Sequence, residues 1–199
     1  MGVARTVREQ ITDRLRSEVV AGRLPAGEAL RESELASRYG VSRGPIRDAF
    51  LQLSQEGLLS YHANRGVTVC HPPLADDRDF IVQLRRQVEC FVVTRGLSSV
   101  GEAGLAQVTE ALGELDSACK TGESVAVAGR DAAFHEALLT ACGGNHFLPA
   151  WRSLCSQMHF AYSRLEDFRA VFEEHRLIFE ALRAGKKTPL IAALKANIR

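Results

Sequence analysis

The segment from Glu34 to Gly66 constrains the fold more than any other part of the chain. It is written ELASRYGVSRGPIRDAFLQLSQEGLLSYHANRG. The pattern predicts a short helix, a glycine turn, a second helix that carries arginines, and a small basic hairpin. This order of elements suits a helix that lies in the major groove of DNA with a wing beside it. The first part of the chain is therefore expected to bind duplex DNA.

Local signals place the elements of this first part. Gly40 suits the C-terminal cap of a short helix, and Ser42 suits the N-cap of the next one. Pro45 falls in the first turn of that helix, where its missing N–H does no harm. The predicted elements are helices at residues 4–21, 32–39 and 42–55, and β-prone pieces at residues 58–61 and 67–70.

The remainder of the chain predicts a helical bundle. His71-Pro72-Pro73-Leu74 is a stiff linker, because consecutive prolines favour extended backbone. Apolar residues then recur at helical spacing in six segments, namely residues 76–95, 102–119, 123–141, 147–164, 168–184 and 189–199. The predicted fold class is mainly α. It has an N-terminal winged helix-turn-helix domain at residues 1–71, a linker at 72–75, and an antiparallel bundle of about six helices at 76–199.

Composition narrows the functional classes. Residues 1–70 carry ten arginines, no lysine and eight acidic residues, which leaves a charge of +2 in this part against +1 for the whole chain. Arginine offers a planar fork for phosphate and guanine that lysine lacks. The five cysteines form no CxxC pattern, and neither a secretory signal nor an apolar run of membrane-spanning length is present. A reduced, cytoplasmic protein with no membrane partner is expected.

The basic residues of the predicted helix-turn-helix are the candidates for DNA contact. Arg43 and Arg47 are four residues apart, so both project from one face of the same helix. An arginine there can hold guanine O6 and N7 bidentately, which contributes ~1–3 kcal/mol of discrimination. Arg65 at the hairpin tip and Arg31 before the short helix are further candidates. The alternative is that these arginines are merely solvated surface residues.

The motifs GVSRGPIRDAFLQLSQEGLL and NRGVTV resemble the winged helix-turn-helix of GntR-type bacterial transcription regulators, over about residues 7–69. The resemblance implies DNA contacts from Ser42, Arg43, Gly44, Pro45 and Arg47, and from a wing tip at Asn64, Arg65 and Gly66. Two positions depart from the family pattern. Gly44 stands where a threonine or another polar residue is more common, and Ser33 stands where some relatives carry a base-contacting arginine. Arg31 is the candidate to replace that arginine.

The second half resembles the FadR-type branch of that family, with its FCD-like helical ligand-binding domain. The motifs are QLRRQVE, RDAAFHEALL, GGN and EEHRLIFEAL. Family effectors are often small organic acids, and Arg85 in the bundle interior would suit the carboxylate of such an effector. The alternative for Arg85 is a surface pair with Glu89, four residues further along the same helix.

A divalent metal, zinc or nickel, is the possible cofactor. Asp131 and His135 are four residues apart on one helix, and His175 on a later helix can close the site from across the bundle. Metal-binding members of the family usually add a histidine on the last helix, where this chain has Asn197. Three protein ligands with water or an effector oxygen can still hold a metal. The alternative is a metal-free pocket whose histidines bond polar partners.

The leading functional prediction is a transcription regulator, with repression favoured over activation. It would bind double-stranded DNA at an inverted-repeat operator as a homodimer, and a small organic acid would control its affinity. One alternative is a metal-dependent enzyme built on Asp131, His135 and His175. The motifs HExxH, GxSxG and GxxxxGKS/T are absent, so we expect no enzyme. Another is an architectural DNA-binding protein that responds to no ligand.

Overall fold

The computed structural model describes residues 6–62, 66–162 and 167–199, except for the side chains of residues 159–162. The chain divides into two compact units, one ending at Pro73 and the other beginning at Leu74. Each unit has its own apolar core. No described helix has both the length and the apolar character needed to cross a membrane.

The first unit is built from three helices and a small sheet. Its elements are α1 (Val7–Val20), β1 (Ala29–Leu30), α2 (Glu32–Tyr39), α3 (Arg43–Gln55), β2 (Leu59–His62) and β3 (Gly66–Val69). Helix α1 begins with a capping box in which Thr6 and Glu9 satisfy each other's backbone N–H groups. It packs on α3, and both Leu15 of α1 and Ile46 of α3 are wholly buried. Burial of this apolar seam sets the orientation of α3.

The turn and the sheet complete the winged helix-turn-helix. Gly40 ends α2 in the left-handed region, with a φ of 67°, which a residue with a Cβ adopts only at a cost. The strands are antiparallel in the order β1-β3-β2, and Tyr61 pairs with Val67 in the hairpin. The predicted fold class is confirmed for this unit.

The second unit contains six described α-helices. They are α4 (Ala75–Gly96), α5 (Glu102–Thr121), α6 (Ser124–Ala141), α7 (Leu148–Tyr162), α8 (Phe168–Arg183) and α9 (Lys187–Asn197). Its core includes the wholly buried side chains of Val92, Phe134 and Leu138. Helix α9 begins two residues before the predicted start, because Pro189 occupies its first turn rather than its first position. The predicted helical bundle is confirmed.

Close backbone approach holds α4 against the end of α6. A Cβ added at Gly96 would lie 1.9 Å from the carbonyl oxygen of Cys142. A Cβ at Gly144 would lie 2.6 Å from Cγ1 of Val92. Only glycine fits at these crossings, and the resulting contact brings the polar residues of α4 beside those of α6.

Candidate functional sites

The outward face of α3 carries the arginines that the sequence predicts to bind DNA. Its inner face is apolar, and Ile46 and Phe50 lie in the core. The opposite face places Arg43 and Arg47 in solvent, and the side chain of Arg47 is 64% exposed. The two guanidinium groups therefore lie on the face that is available to a groove of DNA.

The start of α3 is suited to a phosphate. Ser42 is the N-cap, as predicted, and its hydroxyl makes no described capping hydrogen bond. The first turn contains no acidic residue, so its free N–H groups and the helix dipole favour an anion. Gly44 is exposed with open space around it, which allows a close backbone approach, and Pro45 is half-buried beside it.

The remaining DNA candidates lie at the edges of this surface. Arg31 is exposed and pairs with Glu34 at 3.3 Å. Gly66 opens strand β3 with a φ of 85° and is exposed. Asn64 and Arg65 lie outside the described residues.

A contact that the sequence did not predict joins the two helices of the helix-turn-helix. Nε and Nη2 of Arg47 donate to the two carboxylate oxygens of Glu32, at 3.0 Å and 2.8 Å. Glu32 begins α2, and Arg47 lies one turn into α3. No sequence signal identifies this pair, because it forms only after the glycine turn has brought the helices together.

The predicted metal ligands converge inside the second unit. Asp131 and His135 project from α6 and His175 from α8, and each of them is no more than 3% exposed. One ligand atom from each residue lies within 4.8 Å of the others. Nε2 of His175 is 2.9 Å from Oδ1 of Asp131.

The contacts of His175 orient its ring towards Asp131. Its Nδ1 lies 2.7 Å from the carbonyl oxygen of Val171, which can only accept, so Nδ1 carries the proton. Nε2 then faces Oδ1 of Asp131 at 2.9 Å, with a proton when the ring is charged and with a lone pair when the ring is neutral. A metal ion between the nitrogen and the carboxylate would satisfy both groups.

His135 makes a hydrogen bond through each of its two ring nitrogens. Its Nδ1 lies 2.7 Å from a carboxylate oxygen of Glu89, and its Nε2 lies 2.9 Å from Oδ1 of Asn197. Asn197 donates its amide N–H to Glu174 at 3.2 Å, which turns its oxygen towards His135. Asn197 thus presents an amide oxygen to the second imidazole, and because an amide oxygen only accepts, Nε2 of His135 carries a proton in this contact.

The charges of the cluster reinforce one another. Burial alone would raise the pKa of Asp131, but His175 outweighs it and the net pKa is lowered. Burial alone would lower the pKa of His175, and Asp131 reverses this shift. Asp131 is therefore ionised at neutral pH, as a metal ligand must be.

Arg85 and Glu89 form a buried pair rather than the surface pair that was the alternative. Their side chains are 3% and 0% exposed, and Nε of Arg85 donates to Glu89 at 2.7 Å. Trp151 donates its indole N–H to the same carboxylate at 2.7 Å. Burial would raise the pKa of Glu89, but His135 and Arg85 outweigh it and hold the pKa at about 2. Arg85 also lies 4.0 Å from Asp131, beside the proposed metal ligands.

A separate groove of about 590 Å³ runs along α4. Its lining is mainly apolar and carries two basic side chains, and it consists of Arg86, Gln87, Val88, Cys90, Phe91, Phe147 and Lys195. The sequence did not predict this groove, because Phe147 and Lys195 reach it from other parts of the fold.

Each of the two units matches a known protein family. Residues 80–199 match the FCD domain, and residues 7–69 match the bacterial regulatory proteins of the gntR family. The chain belongs to the GntR family. The resemblance inferred from the sequence motifs is confirmed.

Two relatives and one solved structure are similar to this GntR-family chain over most of their length. It is 28% identical to the uncharacterized HTH-type transcriptional regulator YdhC of Bacillus subtilis, over 89% of this chain and 81% of that protein. It is 28% identical to a probable D-xylose utilization operon transcriptional repressor of Paenarthrobacter nicotinovorans, over 90% and 80% of the two chains. A GntR structure from Rhodococcus sp. RHA1 superposes with a TM-score of 0.74, at 27% identity over 96% of this chain and 93% of that one.

These comparisons identify a DNA-binding transcription regulator with an FCD regulatory domain. They give no support to the alternative of a metal-dependent enzyme. The first unit contains the DNA-binding domain, and the cluster of Asp131, His135 and His175 lies in the FCD domain.

We predict that Glu89→Gln destabilises the FCD domain strongly. It removes the buried charge to which Arg85, His135 and Trp151 all donate, which costs ~3–5 kcal/mol. The folded pKa of Glu89 is depressed, so its contribution to stability is present above the unfolded pKa of about 4.3 and is lost as the pH falls towards about 2. Urea unfolding of both proteins at pH 7 and across this acid range measures both effects.

Glu136→Gln is the matched control for this substitution. Glu136 pairs with Arg152 at the surface, so its loss should cost less than ~1 kcal/mol. Equal destabilisation by the two substitutions would contradict the assignment of Glu89 as a buried charge centre.

Proposed function

We propose that this chain is a homodimeric repressor that binds an inverted-repeat operator and releases it when a small organic acid binds to the FCD domain. It would act in the cytoplasm, where its DNA target lies. The observation that carries the proposal is the outward face of α3, where Arg43 and Arg47 are exposed side by side. The DNA-contacting set comprises Arg31, Ser42, Arg43, Gly44, Pro45, Arg47, Asn64, Arg65 and Gly66.

Each part of this surface has its own role in the proposal. Arg43 and Arg47 contact base edges, because a guanidinium fork matches guanine. Ser42 and the N-terminus of α3 hold a phosphate, and Gly44 lets the backbone approach it closely. The wing at Gly66 lies along the neighbouring backbone or minor groove.

The FCD domain would hold the metal and the effector together. Asp131, His135 and His175 supply three ligands, and Asn197 supplies a weaker amide oxygen. The ion, zinc or nickel, would offer a coordination position to an effector carboxylate. Arg85 lies beside Asp131, so its guanidinium is placed to attract the same anion while its Nε stays bonded to Glu89.

The proposed dimer forms through the outer face of α4. Phe80 and Phe91 are 60% and 51% exposed. They lie eleven residues apart, which is about three turns, so they share one face about 16 Å apart. An antiparallel copy that placed its Phe80 opposite Phe91 would also place its Asp76 opposite Arg95. The groove beside Phe91 could receive the second copy's Phe80, so the face is complementary to itself.

The DNA-binding face is tested by removing its arginines. Arg43→Ala and Arg47→Ala should each weaken binding to the operator, defined as the duplex that the wild-type chain selects from a random pool. Each loss should be about five- to 150-fold, the cost of one bidentate base contact. Arg130→Ala removes an equal charge from the surface of the FCD domain and should leave the affinity within about twofold. Unchanged binding by both α3 variants in an electrophoretic mobility assay would refute this surface.

The metal site is tested by metal content after loading with zinc or nickel. We expect about one ion per wild-type chain and a loss of most of it in His135→Ala, because a second imidazole cannot be replaced by water without loss of affinity. Asn197→His should tighten binding, since imidazole is the better ligand. The exposed His146→Ala is the control. A metal-to-protein ratio near zero in the wild-type chain, measured by inductively coupled plasma mass spectrometry, would remove the metal from the proposal.

The dimer face is tested by exchanging charges. Asp76→Arg and Arg95→Asp should each weaken the dimer by placing like charges opposite each other, and the double variant should restore it. Phe80→Ser should weaken the dimer more than tenfold, while Leu177→Ser, at an exposed apolar position on α8, should not. Sedimentation velocity reports each result. Dimers of equal strength in both single variants would place the interface elsewhere.

A further inference from the structure

The contact between Arg47 and Glu32 lies on the DNA-binding face itself. The two donor nitrogens of Arg47 meet the two carboxylate oxygens in parallel, at 3.0 Å and 2.8 Å. The Arg47 side chain is 64% exposed and the Glu32 side chain 27% exposed. A negative charge on a surface that meets DNA repels phosphate, so its position beside a base-contacting arginine needs an explanation.

The electrostatic setting keeps Glu32 charged. Its hydrogen bond from Arg47 outweighs burial and lowers its pKa, and Arg43 contributes in the same direction. Glu32 is also the first residue of α2, where the helix dipole stabilises a carboxylate. The pair is therefore an ion pair at neutral pH.

The geometry of the guanidinium group determines what Arg47 can still contact. This planar group has two edges that can form parallel hydrogen bonds, the Nε–Nη2 edge and the Nη1–Nη2 edge. Glu32 occupies the first edge. The second edge faces away from the carboxylate and matches O6 and N7 of guanine. The two hydrogen bonds to Glu32 restrict the Arg47 side chain, so less conformational entropy is lost when it meets a base.

We propose that Glu32 is a specificity-determining residue of this regulator, given that α3 binds DNA as proposed above. It positions Arg47 so that the outer edge of the guanidinium meets a base. Its negative charge disfavours the alternative contact of Arg47 with a backbone phosphate. Glu32 thereby lowers affinity for unrelated DNA more than affinity for the operator.

A merely structural role for the pair makes a different prediction. If Glu32 only joins α2 to α3, its loss would lower stability and would weaken binding to all duplexes in proportion. If Glu32 directs Arg47 towards bases, its loss changes the ratio between specific and nonspecific affinity. The ratio of the two affinities therefore separates the roles.

The chain offers a matched control for this test. Glu34 lies two residues after Glu32, is 66% exposed and pairs with Arg31 rather than Arg47. Glu32→Gln and Glu34→Gln remove the same charge from the same helix. Full-length variants are titrated by fluorescence anisotropy against the duplex selected by the wild type and against a scrambled duplex of the same composition.

We expect Glu34→Gln to strengthen binding to both duplexes equally, with an unchanged ratio. Glu32→Gln should bind the scrambled duplex several-fold more tightly and reduce the operator-to-scrambled ratio about tenfold, the discrimination of one base contact. A ratio in Glu32→Gln equal to that of Glu34→Gln would overturn the proposal.

A second variant keeps the test independent of folding. Arg47→Lys retains both charges but lacks the planar fork, so it should lower affinity for the operator more than affinity for the scrambled duplex and thereby reduce the ratio. An unchanged ratio in this variant also overturns the proposal. A wild-type chain that binds both duplexes equally would instead refute the proposed function, so the two failures are distinguishable.

Discussion

The FCD domain depends on the burial of one ionised carboxylate, Glu89. It accepts hydrogen bonds from Arg85 on its own helix, from His135 on α6 and from Trp151 on α7. Burying an unpaired carboxylate in this core would cost several kcal/mol of folding free energy. The domain therefore needs the three donors in order to fold with Glu89 inside. The same contacts orient the imidazole of His135, and the cluster of proposed metal ligands rests on that orientation.

The cluster joins elements that are far apart in the sequence. His135 reaches Asn197 on α9, and Asp131 reaches His175 on α8. A ligand that changes these contacts would bias the packing of several helices together. If an effector weakens operator binding by a given factor, linkage requires the operator to weaken effector binding by the same factor.

The sequence predicted most of the fold and proposed the residues of both candidate sites, but it gave no signal for the contacts within them. The winged helix-turn-helix followed from turn residues and from the spacing of Arg43 and Arg47, because such signals are local. Asp131 and His135 followed from helical periodicity, and the motif around His175 supplied the third proposed ligand. The bond between Glu32 and Arg47 had no signal, since it spans fifteen residues and a turn. The sequence also could not show that Arg85 is buried. Arg85 and Glu89 are four residues apart on one helix whether that face lies inside the bundle or on its surface.

The protonation of the two imidazoles is the most direct test of this account. Long-range proton–nitrogen NMR spectra distinguish a protonated ring nitrogen from one that binds a metal. In the zinc-loaded chain, His135 and His175 should each keep a proton on Nδ1, towards Glu89 and Val171, and coordinate the metal through Nε2. Spectra in which zinc leaves both Nε2 atoms protonated, or in which chelation of the metal changes neither ring, would contradict it.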